Sequence, residues 1–309
     1  MNSIICIAGP TASGKTALAV ELAKELNGEV VSCDSMYVYK RMNIGTAKPT
    51  LEEMQGIPHH MIDVAEADED FSVSRYCRLA GPIVDDIISR GKTAIIAGGT
   101  GLYMDSLIKG NDFAPFPSTG VRERLEKEAD EIGMDAMMER LRAIDPEAAG
   151  RIHDRKRMIR ALEVYHETGE TITAHNLRTQ AIPPKYTPLW LGLDFEDRAE
   201  LYRRIDLRVD IMLQQGLLEE IRELLGSGIP AKCTAMQAIG YKEFVSALEG
   251  NGTVAEAAEE VKRASRHYAK RQLTWFKRNK SFHWLVRQNG ESGEEILRKA
   301  RQVICNFDN

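Results

Sequence analysis

The stretch "IICIAGPTASGKTALAV", residues 4–20, decides how the rest of the chain is read. It opens with an uninterrupted apolar run, the mark of a short strand buried on both faces. It closes with KTALAV, the start of a helical pattern. Between them Gly9, Pro10, Thr11, Ala12, Ser13, Gly14, Lys15 and Thr16 fit G-x-x-x-x-G-K-[ST]. A strand before this pattern and a helix after it are the setting of a phosphate-binding loop. The glycines let backbone N–H groups turn toward phosphate oxygens, and the helix N-terminus favours an anion. Lys15 adds a positive charge, and the Thr16 hydroxyl is placed to join a Mg²⁺ shell. An incidental glycine turn would not explain the strand and helix on either side.

Outward from the loop, strands and helices alternate. EVVSCD reads as a second strand and KTAIIAGGTGLY as a third that ends in glycines. Between them SVSRYCRLAGPIVDDIISRG reads as a helix, with Ser72 as its N-cap. The alternation predicts an α/β fold, a P-loop NTPase-like parallel sheet flanked by helices. Ligands in such sheets bind beyond the carboxyl ends of the strands. Gly9, Asp34 and Gly98 all fall there. In ordinary nucleotide hydrolases a later strand ends in an acid that orders Mg²⁺. Here TAIIAGGTG ends in glycines and Thr100, so Asp34 is the main acid at the rim. It could hold a metal, take a proton from a substrate, or cap a turn through Ser35.

The 309 residues suggest about two domains. Charge falls at −5, so any polyanion site must be a local patch. Cysteines at 6, 33, 77, 233 and 305 form no CxxC pair, which fits a reducing cytoplasm rather than a disulfide or zinc framework. MNSIICIAGP reads as a first strand rather than a signal peptide, and no stretch has the roughly 18 apolar residues of a membrane span. NDFAPFPSTG, at 111–120, breaks the pattern, and charged helical texture follows. Residues 112–190 are therefore expected as a helical insertion in a core made of 1–111 and 191–309. Pro146 behind Asp145 marks one helix start there.

Two basic stretches stand out. KRASRHYAKRQLTWFKRNK, 262–280, carries eight Lys or Arg and no acid, interleaved with Tyr268, Trp275 and Phe276. Arg263, Arg266 and Lys270 share one side of such a helix. Cations for phosphates beside aromatics for bases suit structured RNA. The competing reading is a solvated helix whose Trp275 and Phe276 belong to the core. RKRMIR, 155–160, is the second cluster. His59 and His60, if extended, point to opposite faces and read as structural.

These motifs together resemble a family, the tRNA dimethylallyltransferases. The likeness runs through GPTASGKT, DSMYVY, IGTAKP, GIPHHMID, FSVSRY, GGTGLY, IRALEV, LYRRIDLRVDIML, QAIGYKE and KRQLTWFKR, in that order. It implies that the loop holds dimethylallyl diphosphate with Mg²⁺ at Thr16, and that the prenyl group passes to N6 of an adenosine beside the tRNA anticodon. Asp34 matches the family's general base, Thr100 a residue near the reacting centre, and Arg208 a further diphosphate clamp. Contacts to an anticodon stem-loop bearing adenosines 36 and 37 would come from Asp34, Ser35, Met36, Tyr37, Thr100, Arg122, Lys156, Arg157, Met158, Ile159 and Arg160. Tyr37 stands where many relatives have Gln, and the turn before Lys156 is shorter than usual. A cytoplasmic monomer is expected. Other readings are a P-loop small-molecule kinase, a prenyltransferase for free adenine nucleotides, and an RNA-binding NTP switch.

Overall fold

One sheet organises the first of two compact units. The structure, a computed structural model, describes residues 3–110, 119–181 and 183–307. In chain order the N-terminal elements are β1 (Ser3–Ala8), α1 (Lys15–Glu25), β2 (Gly28–Ser32), α2 (Leu51–Met54), β3 (His59–His60), α3 (Val73–Ser89), β4 (Thr93–Gly98) and α4 (Gly101–Lys109). The middle of the chain forms α5 (Val121–Ile144), α6 (Pro146–Ala149), α7 (Arg155–Thr168) and α8 (Ile172–Gln180). Then come β5 (Thr187–Phe195), α9 (Arg198–Gln214), α10 (Leu217–Gly226), α11 (Lys242–Leu248), α12 (Val254–Phe276), β6 (His283–Arg287) and α13 (Gly293–Phe307). The strands pair in the order β3-β2-β4-β1-β5-β6, every pair parallel. This is the P-loop NTPase-like α/β arrangement expected.

The apolar run in β1 fits its place near the middle of the sheet. Ile5 and Ile7 pack on one face with α1 and α13. Ile4, Cys6 and Ala8 pack on the other with α3, α4, α10, α11 and α12. Strand alternation sends neighbours to opposite faces, and helices cover both, so neither set of side chains can be polar. Ser72 caps α3 as expected, its side chain accepting from the Arg75 N–H. His60 Nε2 lies 2.8 Å from Glu29 Oε2 while His59 Nδ1 lies 2.8 Å from the Ile57 carbonyl, so the two rings do turn to different partners.

The units are Met1–Gly110 with Lys185–Asn309, and Asn111–Pro184. The second therefore closes at 184 rather than 190. The reason is β5, whose first residues pair with β1 from Ser3↔Thr187 onward. Most of the 111–120 break lies outside the described residues. Within the second unit Leu125, Met137, Leu141, Met158, Ile159 and Leu162 form a separate core. Its α5 is interrupted at Gly133, at φ 84°. Its PEAAGRIHDRKRMIRALEVYHETG stretch forms two helices, with α6, begun at Pro146, capped by Asp145 and α7 by Asp154. Among the described residues no helix is long and apolar enough to cross a membrane.

Candidate active site at the strand ends

The phosphate loop leaves β1 at Gly9 and enters α1 at Lys15. Gly14 turns the chain at φ 89°, a left-handed conformation that glycine adopts without strain. Lys15 Nζ donates to the Pro10 carbonyl at 2.7 Å, folding the ammonium over the loop. Its burial lowers its pKa to about 8, with Asp34 pulling it up and Arg208 pushing it down. Ser13 is 2% exposed, and its Oγ has no hydrogen-bond partner among the described residues. Leaving such a hydroxyl unpaired costs about 1–3 kcal/mol. An oxyanion seated in the loop would accept from it, so this orphan favours the anion reading.

Asp34 follows β2 directly. Its Oδ1 accepts from the Met36 N–H at 2.9 Å, so the turn-capping role weighed from sequence is present. Oδ2 has no hydrogen bond among the described residues, which leaves that oxygen for a substrate. Thr100 stands at the matching place after β4. Its Oγ1 accepts from the Ser35 N–H at 3.0 Å, and its own N–H donates to the Cys33 carbonyl at 3.1 Å. The glycines of GGTG allow this closeness, because a Cβ on Gly98 would collide with the Cys33 backbone. Burial pushes the Tyr37 phenol up to about 12, with Arg208 acting to lower it and Asp34 to raise it. Burial likewise pushes Tyr268 up to about 12, with Asp34 raising it further and a Thr100 hydrogen bond opposing. Both phenols therefore keep their protons at neutral pH.

Arg208 reaches the loop from α9. Its Nη1 donates to Thr11 Oγ1 at 3.3 Å and its Nη2 to the Ala47 carbonyl at 3.2 Å. The Tyr37 hydroxyl donates to the same carbonyl at 2.8 Å. Gly9–Thr16, Asp34, Ser35, Met36, Tyr37, Thr100 and Arg208 are thus brought together by three strand ends and α9. For a metal, Thr16 offers a half-buried hydroxyl oxygen. The described residues hold no group of three His, Cys, Asp or Glu able to bind a cation. Mg²⁺ commonly takes one or two protein oxygens and completes its shell with phosphate oxygens and water. The oxygen donors present fit that mode.

Other expected residues are placed differently. Arg122, Lys156, Arg157 and Arg160 lie on the second unit. Lys156 and Arg157 are exposed there, while Met158 and Ile159 are fully buried in that unit's core and offer no side chain to a partner. Arg160 pairs with Glu163 at 2.8 Å and Arg157 lies 3.4 Å from Asp154. The aromatic half of the 262–280 reading is corrected. Phe276 is buried, and Trp275 Nε1 donates to Asp105 Oδ2 at 2.9 Å, so both serve packing and not base stacking. Arg266 is held by Asp206 at 2.6 Å and Arg263 by Glu260.

One site residue was missed from sequence, and a second, Tyr268, was read there only as an aromatic for stacking on bases. Gln272, 5% exposed, accepts the Thr11 N–H at 2.9 Å and donates to the Gly99 carbonyl at 2.9 Å, pinning the phosphate loop to the end of β4. Tyr268 lies one turn earlier on the same face of α12. The i, i+4 spacing of 268, 272 and 276 was the available signal, hidden among cations that drew the eye to charge.

The same conjunction of segments recurs in known proteins. The model of the IPP transferase family matches residues 37–279. A tRNA dimethylallyltransferase of Acetivibrio thermocellus is 44% identical over 310 residues, covering 99% of each chain. One from a Thermoanaerobacter species is 48% identical over 306 residues, covering 98% of this chain and 97% of that one. Among solved structures, a tRNA isopentenylpyrophosphate transferase of Bacillus halodurans superposes with a TM-score of 0.73 at 39% identity, each chain fully covered. A eukaryotic dimethylallyltransferase acting on tRNA gives 0.84 at 31% identity, covering 98% of this chain and 80% of that one. A loop of the 9–16 kind is widespread, but likeness from end to end at these identities is not, and the chain belongs to the IPP transferase family.

Proposed function

We propose that this chain transfers the dimethylallyl group of dimethylallyl diphosphate to N6 of adenosine 37 in the anticodon stem-loop of tRNAs with adenosines at 36 and 37, acting as a cytoplasmic monomer. The observation that carries this reading is the Asp34 carboxylate at the end of β2, with one oxygen tied to Met36 and its field reaching Lys15 of the phosphate loop. An acceptor beside an anion cradle is what alkylation of an amine by an allylic diphosphate needs.

In the reaction the allylic C–O bond breaks and a C–N6 bond forms. Negative charge grows on the departing diphosphate, and fixed donors placed for it lower the barrier. Those donors are the loop N–H groups, Ser13, Lys15 and Arg208. Thr16 Oγ1 is the protein oxygen that would hold Mg²⁺, whose charge would offset that of the diphosphate. The N6 lone pair is conjugated with the purine, so the amine is a weak nucleophile until its proton leaves. Asp34 takes that proton, a contribution of roughly 10²–10⁴-fold. Tyr37 and Tyr268, both protonated, cannot compete for it. Thr100 holds the Ser35 N–H and so fixes the turn that presents Asp34. The adenosine must leave its stack to reach this crevice. Ser35, Met36 and Tyr37 contact it beside Asp34, and Arg122, Lys156, Arg157 and Arg160 contact tRNA phosphates from the second unit. Met158 and Ile159 act by anchoring α7.

The test is incubation of the protein with Mg²⁺, dimethylallyl diphosphate and unmodified tRNA, followed by nucleoside mass spectrometry. N6-dimethylallyladenosine located at position 37 is the expected product. Folded protein that instead consumes ATP with a small acceptor, and forms no prenyl-adenosine, would replace this reading with a kinase.

A further inference from the structure

A second carboxylate lies outside the crevice yet is wired to it. Glu220, on α10, is 8% exposed. Its Oε2 accepts from the N–H groups of Asn43 and Ile44, both at 2.8 Å. Its Oε1 accepts from the Gly45 N–H at 3.1 Å and from the Tyr241 hydroxyl at 2.7 Å. Four donors thus converge on one carboxylate, and no ion pair to it occurs among the described residues. A buried charge so held is costly to place and rigid once placed.

The segment it grips is IGTAKP. Gly45 lies flat against the Tyr241 ring and Leu217, where a Cβ would come within 2.6 Å of the ring and 2.8 Å of Leu217. The turn then tightens, with the Ala47 N–H donating to the Ile44 carbonyl at 2.9 Å. Its product is the Ala47 carbonyl, which accepts from Arg208 at 3.2 Å and from Tyr37 at 2.8 Å. Arg208 in turn reaches Thr11 in the phosphate loop. The path from Glu220 to the loop is therefore continuous in hydrogen bonds.

We propose that Glu220 is a positioning residue for prenyl transfer: by fixing the 43–47 turn it sets the Ala47 carbonyl that aims Arg208 at the diphosphate. The proposal rests on the reading of Arg208 as a diphosphate clamp. Replacing Glu220 by Gln leaves one oxygen for the Asn43 and Ile44 N–H groups but turns an NH₂ toward the Gly45 N–H. The turn then loosens without losing volume.

The experiment is a double-mutant cycle on the full chain with Glu220→Gln, Arg208→Ala and the pair. Single-turnover transfer at saturating tRNA and dimethylallyl diphosphate is read beside tRNA affinity and melting temperature. Glu220→Gln is expected to slow transfer roughly 10-fold, less than the ~10²-fold that a 1 Å misplacement can cost. Its tRNA affinity stays unchanged. In the Arg208→Ala background the same substitution costs less than about twofold, because the group it positions is gone. Equal losses in both backgrounds would reduce Glu220 to a stabiliser of the fold and overturn the proposal. A wild-type rate in folded Glu220→Gln would overturn it as well. An Arg208→Ala protein with a wild-type rate would instead bring down the clamp reading itself, and Glu220 with it. If Glu220→Gln does not fold, Glu220→Asp, which keeps the charge but shortens the reach, enters the same cycle with the same criteria.

Discussion

The phosphate loop at 9–16 and the basic stretch at 262–280 both concentrate positive charge, and they use it in opposite ways. Among the described residues Lys15 Nζ in the loop donates to a backbone carbonyl and makes no ion pair, and the Ser13 hydroxyl has no partner. On α12 Lys262 is held by Asp210 and Arg266 by Asp206, and Lys277, just past its end, by Asp194. The loop's donors stay open toward the crevice, whereas three of the eight cations of 262–280 tie the helix and its end to α9 and β5. Charge density alone does not distinguish a binding surface from a strut. The partners do, and they come from segments some 50 to 80 residues away in sequence.

Removing the acid beside the loop is expected to have the largest effect. Asp34→Ala should slow single-turnover transfer roughly 10²–10⁴-fold, with tRNA affinity retained, since only proton removal is lost. A rate near wild type would take Asp34 out of the mechanism and leave the loop as an anion site without chemistry.

A smaller effect should follow pH. With its pKa lowered to about 8 by burial, Lys15 in the free protein is charged below that pH and loses its proton above it. Binding a diphosphate needs the ammonium, so above pH 8 the protein must take up a proton to bind. The Kd for dimethylallyl diphosphate should be flat below 8 and rise up to about tenfold per pH unit above it. Lys15→Arg should remove the inflection. A flat profile in the wild type would mean that the ammonium is not what the loop contributes.

The smallest effects separate the two kinds of cation on α12. Arg266→Ala breaks a half-exposed ion pair and should cost under about 1 kcal/mol of stability, with the salt dependence of tRNA binding unchanged. Lys270→Ala should flatten the slope of log affinity against log salt by about 0.7–0.9 if that side chain meets a phosphate. The reverse pattern would show that Asp206 releases Arg266 when tRNA binds, and the contrast between loop and helix would weaken.

What could be read in advance follows the same division. The loop, the strands β1, β2 and β4 and the Ser72 cap are decided by neighbours in sequence, and each was legible, whereas β6 lies in a stretch whose charged texture reads as helical. The fate of 262–280 was not, because nothing in that stretch announces Asp206, Asp194 or Asp105. Met158 and Ile159 belong to the 156–160 run that the resemblance matches to tRNA contacts, yet their apolar character sends them to the core. Gln272 escaped notice since a neutral amide in a charged run has no local signature. Its two hydrogen bonds exist only once the loop and β4 are side by side. Glu220 was invisible for the same reason, lying about 175 residues from the N–H groups it holds. The end of the second unit shifted from 190 to 184 because the strand that returns to the core sheet already begins at Thr187.

The central claim is that a phosphate loop here cradles a leaving group instead of a nucleotide to be hydrolysed. Its most direct test is to quantify diphosphate release and prenyl-adenosine formation in one reaction containing Mg²⁺, dimethylallyl diphosphate and tRNA, with no nucleoside triphosphate. The account predicts one diphosphate for each prenyl-adenosine, with both slowed together by Lys15→Ala. Diphosphate released without prenyl-adenosine, transfer that needs ATP, or transfer indifferent to Lys15 would contradict it.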